Sequence, residues 1–204
     1  VIAVHSIEVL EPVESNYRDW TGAELVRAVE DVHLEFKESA FWSNGLGREE
    51  IESSKSKEVH ELGTKASVFM IARATASFMN TDGGQLIVGV AELKDEGINE
   101  IRGIESEFKF LKDRSIDGYK RRIRETVFDN FFPTTVVNSL HDFVSISFPE
   151  YSGRKIMIIN VSRSAEPVTI SANNKSMFFV RGDGLSKELG VDETLAYCKR
   201  RFEK

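Results

Sequence analysis

Two glutamates five residues apart, Glu30 and Glu35, are the first candidates for chemistry in this sequence. On one unbroken helix they would lie about 140° apart and could not share a ligand, since each residue turns a helix by about 100°. A turn at Asp31 would instead fold Glu30 back beside Glu35. Adjacent carboxylates raise each other's pKa unless a cation neutralises them. Carboxylate oxygens are suitable ligands for Mg²⁺ or Mn²⁺. The alternative without a ligand is that both glutamates are solvated charges at a strand edge.

Lys37 is predicted to lie on the same face as Glu35, because every second residue of a strand points to the same face. There it could pair with the carboxylates or hold a phosphate.

A second candidate site is the turn at residues 80–84, which follows a helical apolar block and precedes a strand-like one. Asn80, Gly83 and Gly84 tolerate the positive φ that such a reversal demands. Free N–H groups there could form an anion site. The turn is not a P-loop, because the glycines are not followed by Lys and Ser or Thr. A tight connection without a ligand explains the same residues.

Basic residues collect after residue 108, whereas residues 24–61 and 92–107 are rich in acids. Between residues 118 and 128 apolar side chains recur every four residues, which predicts an amphipathic helix with a basic exposed side. Each basic group alone is also consistent with a solvated surface. The predicted nucleic-acid contacts are Lys120, Arg121, Arg124, Arg181, Asn80, Gly83 and Gly84.

Composition limits the class of protein. With 204 residues, 41% of them apolar, we expect a single domain over residues 1–204. The net charge of −6 gives no global positive field to attract nucleic acid. Cys198 is the one cysteine, which excludes an internal disulfide and fits a reducing compartment, so we expect a cytoplasmic protein. No apolar run reaches the roughly 20 residues of a membrane span. Because the sequence opens on Val1, we expect a piece of a longer polypeptide, fused to other domains.

The elements that would position these residues can be predicted from periodicity. Thr21 and Glu24 have capping-box spacing, which predicts a helix through about Glu30. Residues 32–37 alternate as a half-buried strand with a polar face. Residues 40–63 are expected to be a long mobile loop that could contain one polar helical turn. A helix buried on several sides follows at residues 65–79, and then a strand at residues 85–91.

The second half is predicted to be mostly β-structure. Strands are expected at residues 135–140, 143–148 and 156–162, followed by a hairpin over residues 167–181 that turns at Asn173 and Asn174. A final helix is expected at residues 193–202. The predicted fold class is α+β, with a mixed, largely antiparallel sheet flanked by helices.

Several blocks occur in an order typical of one family. They are Leu-Glu-Phe-Lys-Glu-Ser at 34–39, Ala-Ser-Phe-Met-Asn-Thr-Asp-Gly-Gly at 76–84, Leu-Ile-Val-Gly-Val at 86–90, Arg-Gly-Ile at 102–104 and Phe-Phe-Val-Arg-Gly at 178–182. Together they resemble the Schlafen AlbA domain over roughly residues 24–190. Domains of this family are mixed α/β proteins, often described as DNA-binding, and they occur in bacterial regulators and in Schlafen proteins. The Schlafen proteins include metal-dependent endoribonucleases that act on tRNA and ribosomal RNA.

The resemblance implies a nuclease site. In those nucleases two acids lie five residues apart and the second opens a Glu-Phe-Lys run, which Glu30 and Glu35 match. The third acid follows a Gly-Val pair. Here Ala91 takes one usual acidic position, Glu92 is the first substitute and Asp95 is the second candidate. The implied activity is a metal-dependent endonuclease that cuts structured RNA, such as tRNA, in preference to DNA.

In that mechanism Glu30, Glu35 and Glu92 would bind Mg²⁺ or Mn²⁺, and Lys37 would steady the developing charge. The insertion at residues 40–63 is predicted to gate or lengthen a nucleic-acid groove.

Two other functions stay open. A non-catalytic module could hold nucleic acid or a nucleotide for a fused regulatory or defence domain, and Ala91 favours that hypothesis. A protein-interaction domain could instead dimerise through its β-meander and bind neither metal nor nucleic acid. A homodimer or a fused domain would also add basic surface to a chain of negative charge, which would otherwise bind RNA weakly.

Overall fold

The computed structural model describes residues 17–203, so the first 16 residues of the predicted domain lie outside it. Its helices are α1 (Gly22–Arg27), α2 (Arg48–Ser53), α3 (Lys57–Leu62), α4 (Ala66–Asn80), α5 (Ile116–Ile123), α6 (Asp129–Phe131), α7 (Thr134–Asn138), α8 (Leu140–Phe143) and α9 (Val191–Arg201). Short 3₁₀ segments span Trp42–Gly45, Gly63–Lys65 and Glu105–Phe110, and a π-helical segment, Arg124–Phe128, extends α5.

The strands are β1 (Leu34–Lys37), β2 (Gly84–Val88), β3 (Val90–Leu93), β4 (Ile98–Ile101), β5 (Val144–Ser147), β6 (Glu150–Tyr151), β7 (Arg154–Lys155), β8 (Met157–Val161), β9 (Thr169–Ala172), β10 (Lys175–Gly182) and β11 (Leu185–Leu189). A four-stranded sheet has the order β1-β2-β8-β5, in which β1 and β2 are parallel and the other neighbours antiparallel. A second, antiparallel sheet has the order β11-β10-β9, and two hairpins pair β3 with β4 and β6 with β7. The predicted α+β class with mostly antiparallel pairing is confirmed.

Both faces of the four-stranded sheet are covered. Leu34 and Phe36 of β1 pack with Leu25 of α1 in a small apolar cluster. The opposite face belongs to the main core, which α4 dominates. Because side chains alternate along a strand, Glu35 projects to the α4 side. The predicted polar face of β1 is therefore an interior face.

Helix α4 lies at the centre of the fold, and thirteen of its fifteen residues are buried. The helix predicted at residues 65–79 is confirmed. Asn80 ends it, and the Asn80 amide donates to the carbonyls of Val168, at 2.7 Å, and Phe179, at 2.9 Å. The side-chain oxygen of Asn80, Oδ1, accepts from the Val168 N–H at 2.8 Å. This buried amide joins α4 to the second sheet.

The two glycines after α4 permit a close approach between elements. Gly83 has φ of +77°, and a Cβ there would lie 2.5 Å from the Val161 carbonyl oxygen. A Cβ on Gly84 would lie 2.5 Å from the Phe78 ring and 2.6 Å from the His33 carbonyl oxygen. The chain therefore needs glycine at both positions to bring β2 against its neighbours.

The prediction of a long loop at residues 40–63 was wrong, because α2 and α3 lie within it. The Glu50 carboxylate accepts from the Gly47 N–H at 2.7 Å and caps the start of α2. The Ser56 hydroxyl accepts from the Val59 N–H at 3.3 Å and caps α3. Val59 is buried. Local capping and one apolar anchor thus order a segment whose composition is mostly polar.

The strand predicted at residues 135–140 was also wrong, because this segment is helical in α7. Pro133 precedes the helix, and proline suits helix starts because its missing N–H needs no partner there. Val136 and Val137 pack against the main core from the helix, so packing overrides their strand propensity.

The Asn173 and Asn174 turn is confirmed, with φ of 49° and 62°. Within residues 17–203, no helix is long and apolar enough to cross a bilayer.

Candidate functional site

Glu30 lies in the turn between α1 and β1. Helix α1 ends at Arg27 rather than near Glu30, and the amide of Asn99 donates to the carbonyls of Leu25 and Ala28, both at 2.8 Å. After the turn, the Glu30 carboxylate accepts from the Phe36 N–H at 2.6 Å. The side chain of Glu30 is thereby folded back along the edge of β1.

Glu35 is a buried carboxylate, only 6% exposed, and each of its oxygens faces a cation. Its Oε1 lies 2.6 Å from Lys37 Nζ. Its Oε2 accepts from Arg181 Nη1 in a second ion pair. A buried carboxylate needs such partners, because removing an unpaired charge from water costs several kcal/mol, in the range of about 3–5.

Arg181 reaches β1 from β10 and is itself buried. Its Nη2 donates to the carbonyls of Asp31, at 2.9 Å, and Leu34, at 2.8 Å. The guanidinium carbon lies 4.9 Å from the centre of the Phe78 ring. The side chain of Arg181 therefore holds the turn before β1 and has no exposed face for the nucleic acid that the sequence led us to predict.

Glu92 lies on β3 and is exposed. It pairs across the hairpin with Asn99, the residue that holds the end of α1. Ala91 pairs with Glu100 on the other face, because successive residues of a strand point to opposite sides. The alanine at the usual acidic position therefore projects away from the side that carries Glu92.

The carboxylates share one electrostatic environment. Burial raises the pKa of Glu30, the Phe36 hydrogen bond and the Lys37 charge oppose that rise, and the negative charges of Glu92 and Glu35 add to it. Glu35, Lys37 and Glu92 thus all lie close enough to act on the Glu30 carboxylate.

The present arrangement does not fit a divalent ion held by Glu30, Glu35 and Glu92 together. Both oxygens of Glu35 are bound to cations. Across residues 17–203, no three His, Cys, Asp or Glu side chains converge closely enough to hold a metal ion. Such an ion needs several oxygen ligands at about 2.0–2.6 Å, so Lys37 would first have to leave Glu35.

The predicted nucleic-acid contacts divide into two groups. Asn80, Gly83 and Gly84 are packed inside the fold, where the turn offers no open anion site. Lys120 and Arg121 on α5 are exposed, and neither forms an ion pair within the described part of the chain.

Arg124 is exposed but less available than its neighbours on α5. It pairs with Asp129 at 3.0 Å and donates to the Val137 carbonyl at 3.0 Å. Between residues 17 and 203, no hydrogen bond or ion pair connects these basic residues to the carboxylates.

Sequence reasoning missed the partnership of Arg181 with Glu35 and the role of Asn99. The sequence contained a signal for the first, because an apolar helix and a second strand follow β1 and can cover both of its faces. A glutamate on such a strand is buried and needs a cationic partner. Asn99 gave no such signal, since its partners are the carbonyls of a helix 71 to 74 residues away.

No curated protein matches the chain. Among solved structures, the DIP2311 protein of Corynebacterium diphtheriae matches with a TM-score of 0.47 and 18% identity, over 82% of this chain and 27% of that one. The N-terminal domain of a RecG-related protein from Nitrosomonas europaea matches with a TM-score of 0.37 and 14% identity, over 80% of this chain and 86% of that one.

The chain thus spans 27% of the length of the Corynebacterium protein. A family model gives the decisive match, because residues 30–190 fit the Schlafen, AlbA_2 family. That match suggests a nucleic-acid-related function. It covers most of the chain, including Glu30, Glu35, Glu92 and Arg181, and the protein belongs to the Schlafen AlbA_2 family.

Proposed function

We propose that this chain is a non-catalytic nucleic-acid-binding module that contacts the phosphate backbone, prefers RNA to DNA and works within a larger protein. The observation that carries the proposal is the pair Lys120 and Arg121 on α5, which are exposed and, within residues 17–203, have no carboxylate partner. Exposed cations that are not already paired are free to bind phosphates and release counterions. Family membership supports a nucleic-acid ligand.

The ion pairs of the carboxylate site support binding rather than cleavage. Lys37 and Arg181 together neutralise Glu35. Arg181 also donates hydrogen bonds to two backbone carbonyls. In this account the site holds the α1–β1 turn in place. The net charge of −6 implies that binding is local, modest and sensitive to salt.

The test uses labelled tRNA, single-stranded RNA, single-stranded DNA and duplex DNA, with binding followed by fluorescence anisotropy. We expect salt-sensitive binding, tighter for RNA, that is weakened in a Lys120→Gln/Arg121→Gln variant. Arg48→Gln is the matched control, because Arg48 is an exposed cation on α2 that already pairs with Glu52. Equal binding by both variants would contradict the proposal.

A metal-dependent endonuclease is the second candidate, favoured by one observation. Glu30, Glu35 and Glu92 lie close enough for the latter two to raise the pKa of Glu30, and a divalent cation would relieve that repulsion. The candidate requires Lys37 to release Glu35, after which Mg²⁺ or Mn²⁺ would supply a polarised phosphate and an activated nucleophile.

The two candidates differ in what happens to the RNA. Incubation with Mn²⁺, Mg²⁺ or chelator, followed by a denaturing gel, should leave every substrate intact if the first proposal holds. Metal-dependent cutting that Glu30→Gln and Glu92→Gln both abolish would favour the second. A trace contaminating nuclease would cut equally in those variants.

A further inference from the structure

A polar groove lies beside α5, on a different side from the exposed Lys120. It has a volume of about 450 Å³. Its lining residues come from the three 3₁₀ segments, the first turn of α4, α5, the π-helical segment and α6. They are Asn44, Thr64, Lys65, Val68, Phe110, Arg122, Thr126 and Asn130. Arg122, Thr126 and Asn130 recur every four residues and form one wall.

The groove contains cations but no acid. Lys65 and Arg122 both line it, and neither forms an ion pair in the part of the chain that the structure describes. No carboxylate lines the groove beside these two cations. In another depression, by contrast, Arg73 is neutralised by Glu58 at 2.7 Å.

Arg122 also has an unsatisfied donor. Its Nε is inaccessible to solvent and has no hydrogen-bond partner. A polar atom buried without a partner destabilises the fold, and more so when the group is charged. Arg122 is therefore a cation that has lost part of its hydration and has no ion-pair partner within residues 17–203, and a phosphate bound in the groove would neutralise its charge.

The groove continues beyond this depression. A second one, of about 270 Å³, shares Lys65 and Asn130 with the first and extends to the hairpin turn at Asn173 and Asn174. No carboxylate lines it either. Phe110 also lines the first depression, and Lys109 Nζ lies 5.0 Å from the centre of its ring.

We propose that this groove binds a single-stranded segment of nucleic acid, with a backbone phosphate between Lys65 and Arg122. The inference rests on the proposed function and names the surface where a strand would lie. Cations that follow a backbone, an aromatic ring for a base and amides for base edges are the chemistry of single-strand binding. A free mononucleotide offers the same groups, but the continuation towards Asn173 favours a strand.

The insertion at residues 40–63 takes part in this surface. Asn44 lies in its 3₁₀ segment and forms one side of the groove. In this proposal the insertion lengthens the nucleic-acid groove through Asn44.

The test compares Lys65→Gln and Arg122→Gln with the Arg48→Gln control. Anisotropy is measured with a labelled single-stranded RNA of about ten nucleotides over a range of salt, and calorimetry with AMP and UMP in parallel. For single strands each lost phosphate contact should make the slope of log Kobs against log salt shallower by about 0.7. We expect that change for each groove variant and none for the control, with AMP and UMP binding much more weakly than the strand.

The outcomes separate this inference from the proposed function. If the wild-type protein binds RNA, and Lys120→Gln/Arg121→Gln weakens binding while both groove variants retain the wild-type slope, the groove proposal is overturned and the proposed function stands. If the wild-type protein binds no nucleic acid, both fail. Suppose the protein binds AMP tightly, Lys65→Gln abolishes that binding, and the single-stranded RNA does not bind. This result would overturn the proposal of a bound strand and identify a nucleotide site. Because Arg122 is partly buried, thermal unfolding of the Arg122→Gln variant is measured too. If that variant does not fold, the salt slope of Lys65→Gln tests the groove, because Lys65 is exposed.

Discussion

Arg181 on β10 forms a buried ion pair with Glu35 on β1, across 146 positions of the chain. The pair joins the two sheets, and the same guanidinium binds the carbonyls of Asp31 and Leu34. One arginine thus holds the turn that places Glu30 beside β1. The Phe-Val-Arg-Gly and Glu-Phe-Lys runs, far apart in sequence, are two halves of one structural contact.

Removing Arg181 should destabilise the protein strongly. In Arg181→Ala, Glu35 stays buried with Lys37 as its one remaining cation, and we expect the free energy of unfolding to fall by about 3–5 kcal/mol. Denaturant unfolding measures this loss. Lys187→Ala is the control, because Lys187 pairs with Glu193 at the surface and such pairs contribute about 0–1 kcal/mol. Similar losses in the two variants would show that the buried pair is not a major support.

The Gly83 turn should prove structural rather than ligand-binding. Gly83 and Gly97 both have positive φ, but a Cβ at Gly83 would strike the Val161 carbonyl, whereas a Cβ at Gly97 meets open space. We expect Gly97→Ala to lower the free energy of unfolding by about 1–2 kcal/mol through backbone strain. Gly83→Ala should lose about 1–3 kcal/mol more through overlap. Denaturant unfolding of the two variants compares them directly, and equal losses would argue against the close approach.

Acid should weaken the cap of α1 within a defined pH window. The hydrogen bond from the Thr21 backbone, with the Arg18 and Thr21 side chains, lowers the pKa of Glu24 from 4.5 to about 2. A carboxyl whose pKa is lower in the folded state stabilises it above the unfolded value, and that stability disappears as pH falls from 4.5 to about 2.

An NMR titration of the Glu24 carboxyl carbon checks this value. Thr21→Ala keeps the carboxylate but removes one hydrogen bond, and it should move the midpoint part of the way towards 4.5. A wild-type midpoint near 4.5 would show that the capping box does not hold in solution.

Divalent metal should leave the stability of the protein unchanged. A ligand that binds the folded state alone raises Tm, but Lys37 already occupies Glu35 Oε1 at 2.6 Å. Thermal unfolding with Mn²⁺, Mg²⁺ or chelator should therefore give one Tm for the wild-type protein. A rise with Mn²⁺ that Glu30→Gln removes would instead support the endonuclease candidate.

Sequence patterns predicted the parts of this fold that local physics decides. The α4 helix shows its burial in its own apolar positions, and Asn173 and Asn174 mark the hairpin turn because asparagine tolerates positive φ. The capping box at Thr21 and Glu24 is present as predicted. These features depend on residues within a few positions of one another.

Features that depend on distant partners were not predictable in the same way. Val136 and Val137 favour a strand by propensity, yet their helix packs against the core. Glu35 has the pattern of an exposed strand residue, yet the sheet is covered on both faces and Arg181 neutralises it. The Lys65 and Arg122 groove brings together α4 and α5, which no sequence spacing joins. Tertiary contacts decided each case.

The salt dependence of RNA binding shows whether Lys120 and Arg121 contact the phosphate backbone. Log Kobs is plotted against log salt for a labelled tRNA, with the wild-type protein and with Lys120→Gln/Arg121→Gln. We expect log Kobs to fall linearly with log salt for the wild-type protein. In the double variant the slope should be shallower by roughly 1.4–1.8, because two phosphate contacts are lost. No salt-sensitive binding by the wild-type protein, or an unchanged slope in the double variant, would contradict the proposed function.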